Sequence, residues 1–246
     1  MKIFNLPGRL SFMRKTILFI CVVLFVVHTS WGQNGPIDSL RADFDKLYGL
    51  DVLLTNGKKY FPDNNPVIGN PFWRSNDPFL ADLTISGKTF KNQSIKYNLN
   101  KQEFLLFYTN YNGQQGQIIL NSSAIDSVNT GMFKFIPCAF PEIKQQFVQV
   151  IHQGHLSCYV GWYKELKFNT LGPYAGFEYT KDHRMYYLVY NGKVNEFTTK
   201  SSFLRIFSPK ERVNIRKYLS SNLFRFRKMS EISLIKLIAY CDETVI

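Results

Sequence analysis

The sequence predicts an α+β protein, mainly antiparallel β. A meandering sheet or open barrel-like β domain is expected, with a short N-terminal helix before it and C-terminal helices after it. Three observations carry this expectation. Apolar and polar residues alternate in short runs from residue 81 to 137 and again from 147 to 197, the period of strands with one face on a core. The pairs Gly87-Lys88, Asn112-Gly113 and Asn191-Gly192 separate such runs and tolerate the positive φ angles of tight hairpins. After about residue 200 the apolar period becomes helical.

The chain opens with two start-like methionines, Met1 and Met13, and the sequence leaves open which is the true start. Met13-Arg14-Lys15 places positive charge directly before the apolar run 17–27, which suits a secretory signal and is too short for a membrane span of about 20 residues. Ser30 and Gly32 fit the −3 and −1 positions of a cleavage site, so residues 1–32 read as a signal peptide and the mature chain begins at Gln33. Residues 33–246 then form a single β-rich domain with a helical C-terminal cap from about residue 200, and no transmembrane helix remains after cleavage. Aromatic content of 16% against 20% charged residues supplies the apolar area that a packed core requires, which excludes a disordered chain.

Within the domain, Ile37, Leu40, Phe44, Leu47 and Tyr48 recur at helical spacing before Gly49. Residues 51–54 read as a strand turned by Asn56-Gly57, and residues 62–78 as an ordered loop pinned by Phe72 and Trp73. Leu83 and Ile85, then Ile95, Tyr97 and Leu99, alternate with polar residues, whereas the run 104–108 is apolar on both faces, as in a central strand. A second set comprises strands at 147–151 and 156–167 joined through Gln153-Gly154, and a hairpin of 185–190 with 193–197. The stretch 171–176 between them reads as a loop. Phe203, Leu204, Ile206 and Phe207 suggest a short helix. Ser208-Pro209-Lys210-Glu211 is a capping box for the next one, and Leu234, Ile235, Ile238 and Cys241 form the buried stripe of a last helix beginning at Ser230 and Glu231.

Net charge is +12, falling to +8 when Lys2, Arg9, Arg14 and Lys15 leave with the signal, since no acid leaves with them. For an exported chain that excess points to an acidic protein face or another anionic surface rather than to nucleic acid. The cations concentrate at the C-terminal end, where Arg212, Arg216, Lys217, Arg225, Arg227 and Lys228 are candidates for contact with an anionic surface. Phe224-Arg225-Phe226-Arg227 equally fits a segment that buries Phe and exposes Arg in a solvated face.

Chemistry-bearing motifs are sparse. His152-Gln153-Gly154-His155 would set two imidazoles opposite one another across a tight turn, and these are the candidate metal ligands. A zinc site needs a third ligand, which the sequence does not supply nearby, so two polar residues at an exposed hairpin end is the simpler reading. Cys138, Cys158 and Cys241 remain after cleavage; Cys138 and Cys158 bracket a segment that doubles back, and are the pair expected to form a disulfide in an oxidising compartment. No catalytic triad signature, nucleophile elbow, phosphate loop or dinucleotide fingerprint is present, and no cofactor is expected. The sequence therefore reads as a non-catalytic binding or structural module, with peripheral membrane association or an unrecognised envelope hydrolase as the alternatives.

The order of features, with Gly69-Asn70-Pro71-Phe72-Trp73, the strand Ile95-Lys96-Tyr97-Asn98, the hairpin 187–197 and the helical tail 203–241, resembles a broad group of uncharacterised exported proteins of Bacteroidota-type bacteria. The resemblance is one of layout and spans most of the mature chain. It implies a periplasmic or cell-surface setting and a non-enzymatic role, and it supplies no site residues. The partner expected from the charge and the compartment is an envelope protein or an anionic surface.

Overall fold

A computed structural model describes residues 51–62, 66–110, 112–170, 175–226 and 229–244. The signal segment, the expected helix at 37–48, most of the 171–176 loop, and Arg227 and Lys228 lie outside the described residues. The architecture is α+β and mainly antiparallel. Eleven strands form one large sheet that is not closed, three more form a satellite sheet, and helices follow at the C-terminal end.

The described chain begins with a single helical turn, α1 (Val52–Thr55), where a strand is expected. The difference lies in Asp51, whose carboxylate accepts from the Leu53 backbone N–H at 2.9 Å and caps the turn. Strand β1 (Gly57–Lys59) then pairs with β6 (Gln115–Leu120). Glycine is required where β1 begins, because a Cβ on Gly57 would stand 2.2 Å from the Ile119 carbonyl oxygen. The Pro- and Asn-rich loop is pinned as expected, with Phe72 and Trp73 buried, but it also holds β2 (Val67–Ile68), a satellite-sheet strand.

From β3 (Phe79–Ile85) the chain turns at Ser86-Gly87, with φ of 47° and 79°, into β4 (Lys88–Asn98), and continues through β5 (Glu103–Thr109) to β6. These strands step outward to one edge of the sheet. A 3-10 turn, Ser122–Ala124, then returns the chain to the other side of β3, where β7 (Ile125–Asn129) pairs with it. Strands β8 (Lys134–Pro137), β9 (Phe147–His152) and β10 (Ser157–Tyr163) step toward the second edge. The long strand expected over 156–167 is broken at Lys164-Glu165. Its second part is β11 (Leu166–Asn169), which pairs with β12 (Gly176–Tyr179) in the satellite sheet, and β12 runs parallel to β2. The large sheet resumes with β13 (His183–Tyr190) and ends at β14 (Lys193–Phe197), joined by the Asn191-Gly192 turn with φ of 50° and 71°.

The inner face of the sheet carries the main core. Phe104 on β5 and Phe147 on β9 are five places apart in strand order, about 24 Å in a flat sheet, yet their ring centroids lie 4.9 Å apart. The sheet therefore curls until distant strands face one another. Tyr97 stacks on Phe104 at 4.3 Å and meets Phe135 edge-on at 5.5 Å, and Trp73 makes edge contacts with Phe135 and Trp162.

Helices α2 (Lys200–Arg205), α3 (Pro209–Ser221) and α4 (Glu231–Thr244) contribute to the same core. The Ser208/Glu211 capping box at the start of α3 is formed, with Pro209 in the first turn. On α4 the buried stripe is Leu234, Leu237, Ile238 and Cys241; Ile235, expected in it, is 44% exposed. Positions 234, 237, 238 and 241 follow the helical repeat, and 235 is turned about 100° away.

Removal of the Phe104 ring should leave a cavity where the two halves of the sheet meet. Phe104→Ala is expected to cost about 3–5 kcal/mol, read as a lowered urea midpoint with an unchanged slope.

Candidate functional site

The outer face of β9, β10 and β13 is also apolar. Val148, Tyr159 and Tyr187 form a second cluster there with Ile143, and Met185, Val150 and Phe140 pack against it. A sheet face of this kind requires a cover, and the loop 138–146 between β8 and β9 provides it. Gly161 makes the close approach possible. A Cβ there would meet Gln145 Oε1 at 2.5 Å, so the missing side chain leaves the slot in which the Gln145 amide lies.

A cleft of about 380 Å³ opens beside this loop, within the size range of small-ligand sites. One wall is the loop itself, with Glu142, Lys144 and Gln145; a second is Tyr163-Lys164-Glu165 at the end of β10; the floor holds Met185, Tyr187 and Glu196. The turn between β4 and β5 closes the remaining side. Asn98 builds that turn by accepting from the Asn100 and Lys101 backbone N–H groups at 3.0 and 2.9 Å. Gln102 then ties it to β10 by donating to the Trp162 carbonyl at 2.9 Å, while accepting from the Tyr97 hydroxyl at 2.8 Å.

The electrostatics are uneven. Lys164 is almost buried and is neutralised by Asp182 at 3.2 Å, with a further bond to the Asn70 carbonyl at 2.9 Å. Glu165 pairs with Lys167 at 2.8 Å, and that bond holds its carboxyl below the usual range. Tyr187 donates to Gln145 Oε1 at 2.9 Å; burial, with the Glu196 carboxylate next, pushes its phenol up to about 12. The side chains of Glu142, Glu196 and Lys144 make no hydrogen bond or ion pair among the described residues. A second depression, about 480 Å³, lies at the β1–β6 edge and carries only Lys58 and Glu103 as titratable groups.

The residues singled out from sequence fall elsewhere. The hairpin between β9 and β10 has a longer turn than expected: His152 pairs with Cys158, and His155 lies in the turn, so the imidazoles do not face one another across strands. His152 Nε2 lies 2.9 Å from Asp242 Oδ2, and Asp242 Oδ1 accepts from the Leu156 N–H at 2.6 Å. This arrangement clasps the end of α4 to the hairpin, and a Cβ on Gly154 would stand 2.1 Å from the same carboxylate. Among the described residues no three groups gather to hold a metal ion, and the Ser157 hydroxyl in the same hairpin donates to the Gly154 carbonyl.

The expected Cys138–Cys158 disulfide is corrected as well. Both are free thiols, Cys138 packing against the outer-face cluster and Cys158 in the inner core, so the sheet stands between them. Burial pushes both thiols up. It also pushes the Cys241 thiol up, to about 12.

Of the basic candidates, Arg216, Lys217 and Arg225 are exposed. Arg212 is half-buried and donates to the Phe207 and Arg205 carbonyls at 2.8 and 3.1 Å, which commits it to closing α2. Phe224 and Phe226 pack against the core while Arg225 points outward, as the alternation requires.

Sequence reasoning missed the cleft. The available signal was Gly161 inside an apolar strand, which marks a close approach by another part of the chain. Comparison with protein-family models, curated proteins and solved structures found no match to this chain.

The Asp242 clasp has a pH signature. Burial raises its carboxyl pKa, but the bonds from His152 and Leu156 outweigh that, and the folded value is lowered. Its contribution is thus complete above the unfolded carboxylate range near ~3.9 and is lost as pH falls through the lowered folded value. Asp242→Asn should lower stability by about 1–2 kcal/mol at neutral pH and flatten the acid limb of the stability profile, measured as urea midpoints against pH.

Proposed function

We propose that the protein is an exported, non-catalytic binding or structural module of the bacterial cell envelope, acting through protein or surface contacts. The observation that carries this reading is the outer-face cleft, whose walls come from three separate parts of the chain and are fixed by hydrogen bonds between them. Such a site presents polar groups in set positions without a nucleophile paired to a base, which suits recognition rather than turnover.

The satellite sheet supports the same role. Leu166, Phe168 and Phe177 are 40%, 59% and 45% exposed on one face of β11 and β12, a contiguous apolar surface of the kind used in protein contacts. We read the curled large sheet as an open barrel-like frame for these two surfaces. Among the described residues no helix is long and apolar enough to cross a membrane. Placement in the envelope rests on the signal-like segment at residues 13–32 and on the resemblance to exported Bacteroidota-type proteins.

A second reading is peripheral attachment to an anionic membrane. Arg216, Lys217 and Arg225 are exposed, and so within the same stretch of chain is Leu223, at 85%.

N-terminal sequencing of the protein from its native cells should begin at Gln33; a product with residues 13–32 attached and located in the cytosol would overturn export. Crosslinking in intact cells should retain a defined partner. Vesicle sedimentation tests the membrane reading. Binding to anionic vesicles that weakens with salt, and falls on joint replacement of Arg216, Lys217 and Arg225 by Gln, supports it, and no binding at low salt removes it.

A further inference from the structure

Two free thiols sit at the clasp that holds α4 to the sheet. Asp242 reaches the Leu156 N–H through one carboxylate oxygen and His152 Nε2 through the other. Those two residues bracket Cys158, since Leu156 lies two places before it in the chain and His152 is its cross-strand partner on β9. Cys241 immediately precedes Asp242 and belongs to the buried stripe of α4. Both thiols are 0% exposed and lie in the same inner core. A second observation agrees with this placement. Burial pushes the Cys158 thiol up and the charge of Cys241 adds to the effect, which requires the two sulfurs to lie near one another. Cys138 stands apart, packing against the outer-face cluster with its thiol donating to the Phe140 carbonyl at 3.6 Å.

We propose that Cys158 and Cys241 are joined by a disulfide as the chain folds in an oxidising compartment, fastening α4 covalently to β10. The structure shows the reduced form of this pair. The oxidant is a protein or small-molecule disulfide of that compartment. One cysteine thiolate attacks a sulfur of this donor, giving a mixed disulfide and releasing the donor's other sulfur as a thiolate; the second cysteine then displaces the donor. Two electrons pass to the donor, which leaves as two thiols carrying the two protons the cysteines gave up. The exchange precedes burial, because a fully buried thiol is neither ionised nor reachable. Burial afterwards shields the finished bond from reductants. The ring so formed encloses residues 159–240, and closing it restrains the unfolded chain. The inference shares with the binding-module reading only the export on which both rest.

The test is a thiol map of the full processed chain. Protein purified from its native cells is reduced and unfolded, refolded by dilution into mixed reduced and oxidised glutathione, alkylated in denaturant and digested with trypsin. The digestion places Cys138, Cys158 and Cys241 on separate peptides, 135–144, 145–164 and 237–246. Mass spectrometry should find the second and third joined and Cys138 alkylated. Cys138→Ala should leave that bond intact, and Cys158→Ala should leave Cys241 alkylated. Hydrogen exchange of the α4 amides should be at least about tenfold slower in the linked protein than after its reduction.

Alkylated Cys158 and Cys241 after refolding, a bond from either to Cys138, or α4 exchange unchanged by reduction would each overturn the proposal. The same map on cells alkylated at lysis should find the bond already present, and free thiols in a chain that begins at Gln33 would overturn it too. A chain kept in the cytosol with residues 13–32 attached removes the export reading instead, and the refolding map still decides the pairing.

Discussion

Ring-to-ring contact between strands far apart in the sheet is the constraint on which the rest of the molecule depends. Hydrogen bonding alone would let eleven antiparallel strands lie as an open twisted ribbon. The contacts of Phe104 and Tyr97 with Phe135 and Phe147 bring β4 and β5 against β8 and β9, and this curl is what gives the inner face an interior. It also accommodates the return from β6 to β7. Four spacings of about 4.8 Å separate those strands in a flat sheet, roughly 19 Å, and the five-residue step from Leu120 to Ile125 reaches at most about 18 Å fully extended. The 3-10 turn in that link is not extended, so β6 and β7 must be closer than a flat sheet allows.

Curling covers only one face. On the outer side of β9, β10 and β13, Tyr159, Tyr187 and Val148 would stand in water without the loop 138–146. The loop can lie flat because Gly161 has no side chain, and lying flat brings Gln145 to the Tyr187 hydroxyl. The cleft therefore follows from packing. It is the space left between a loop that covers an apolar face and the neighbouring turn, which Gln102 and Asn100 hold to β10 by bonds to the Trp162 and Lys164 carbonyls.

Much of the fold was legible because its determinants are local. The alternation around Leu83, Ile85, Ile95 and Tyr97, the Asn191-Gly192 turn and the Ser208/Glu211 capping box each depend on residues within a few positions, and each is found as read. At residues 51–54 a local cap was overlooked, since the Asp51 carboxylate makes them a turn of helix. Other failures occur where distant residues decide, as where β10 ends at Tyr163 because Lys164 is drawn to Asp182 and Asn70. The pairing of Cys138 with Cys158 failed for a simpler reason: position along a strand sets which face a thiol occupies, and the loop carrying Cys138 covers the other face. The candidate site was the least legible part, since Glu142, Gln145, Tyr163 and Glu196 come from three separate stretches that only the curled sheet assembles.

A chain of polar contacts links the cleft to the core and explains how its wall is held. Trp162 donates to Gln149 Oε1 at 2.8 Å, Gln149 donates to Glu231 at 3.3 Å, and Glu231 pairs with Arg74 at 3.3 Å. The Arg74 backbone N–H in turn donates to Asp182 at 2.9 Å, the carboxylate that neutralises Lys164. Arg74 holds φ of 61°, a left-handed conformation that costs a non-glycine residue energy, and its guanidinium lies over Trp73 and Phe133 at 4.4 and 4.1 Å. The stacking and the two polar bonds offset that cost, so the loop that bears Trp73 is fixed by the same residue that anchors α4. Helix, loop and cleft wall thus share one network, in which Arg74 joins the Asp182–Lys164 ion pair to the aromatic core.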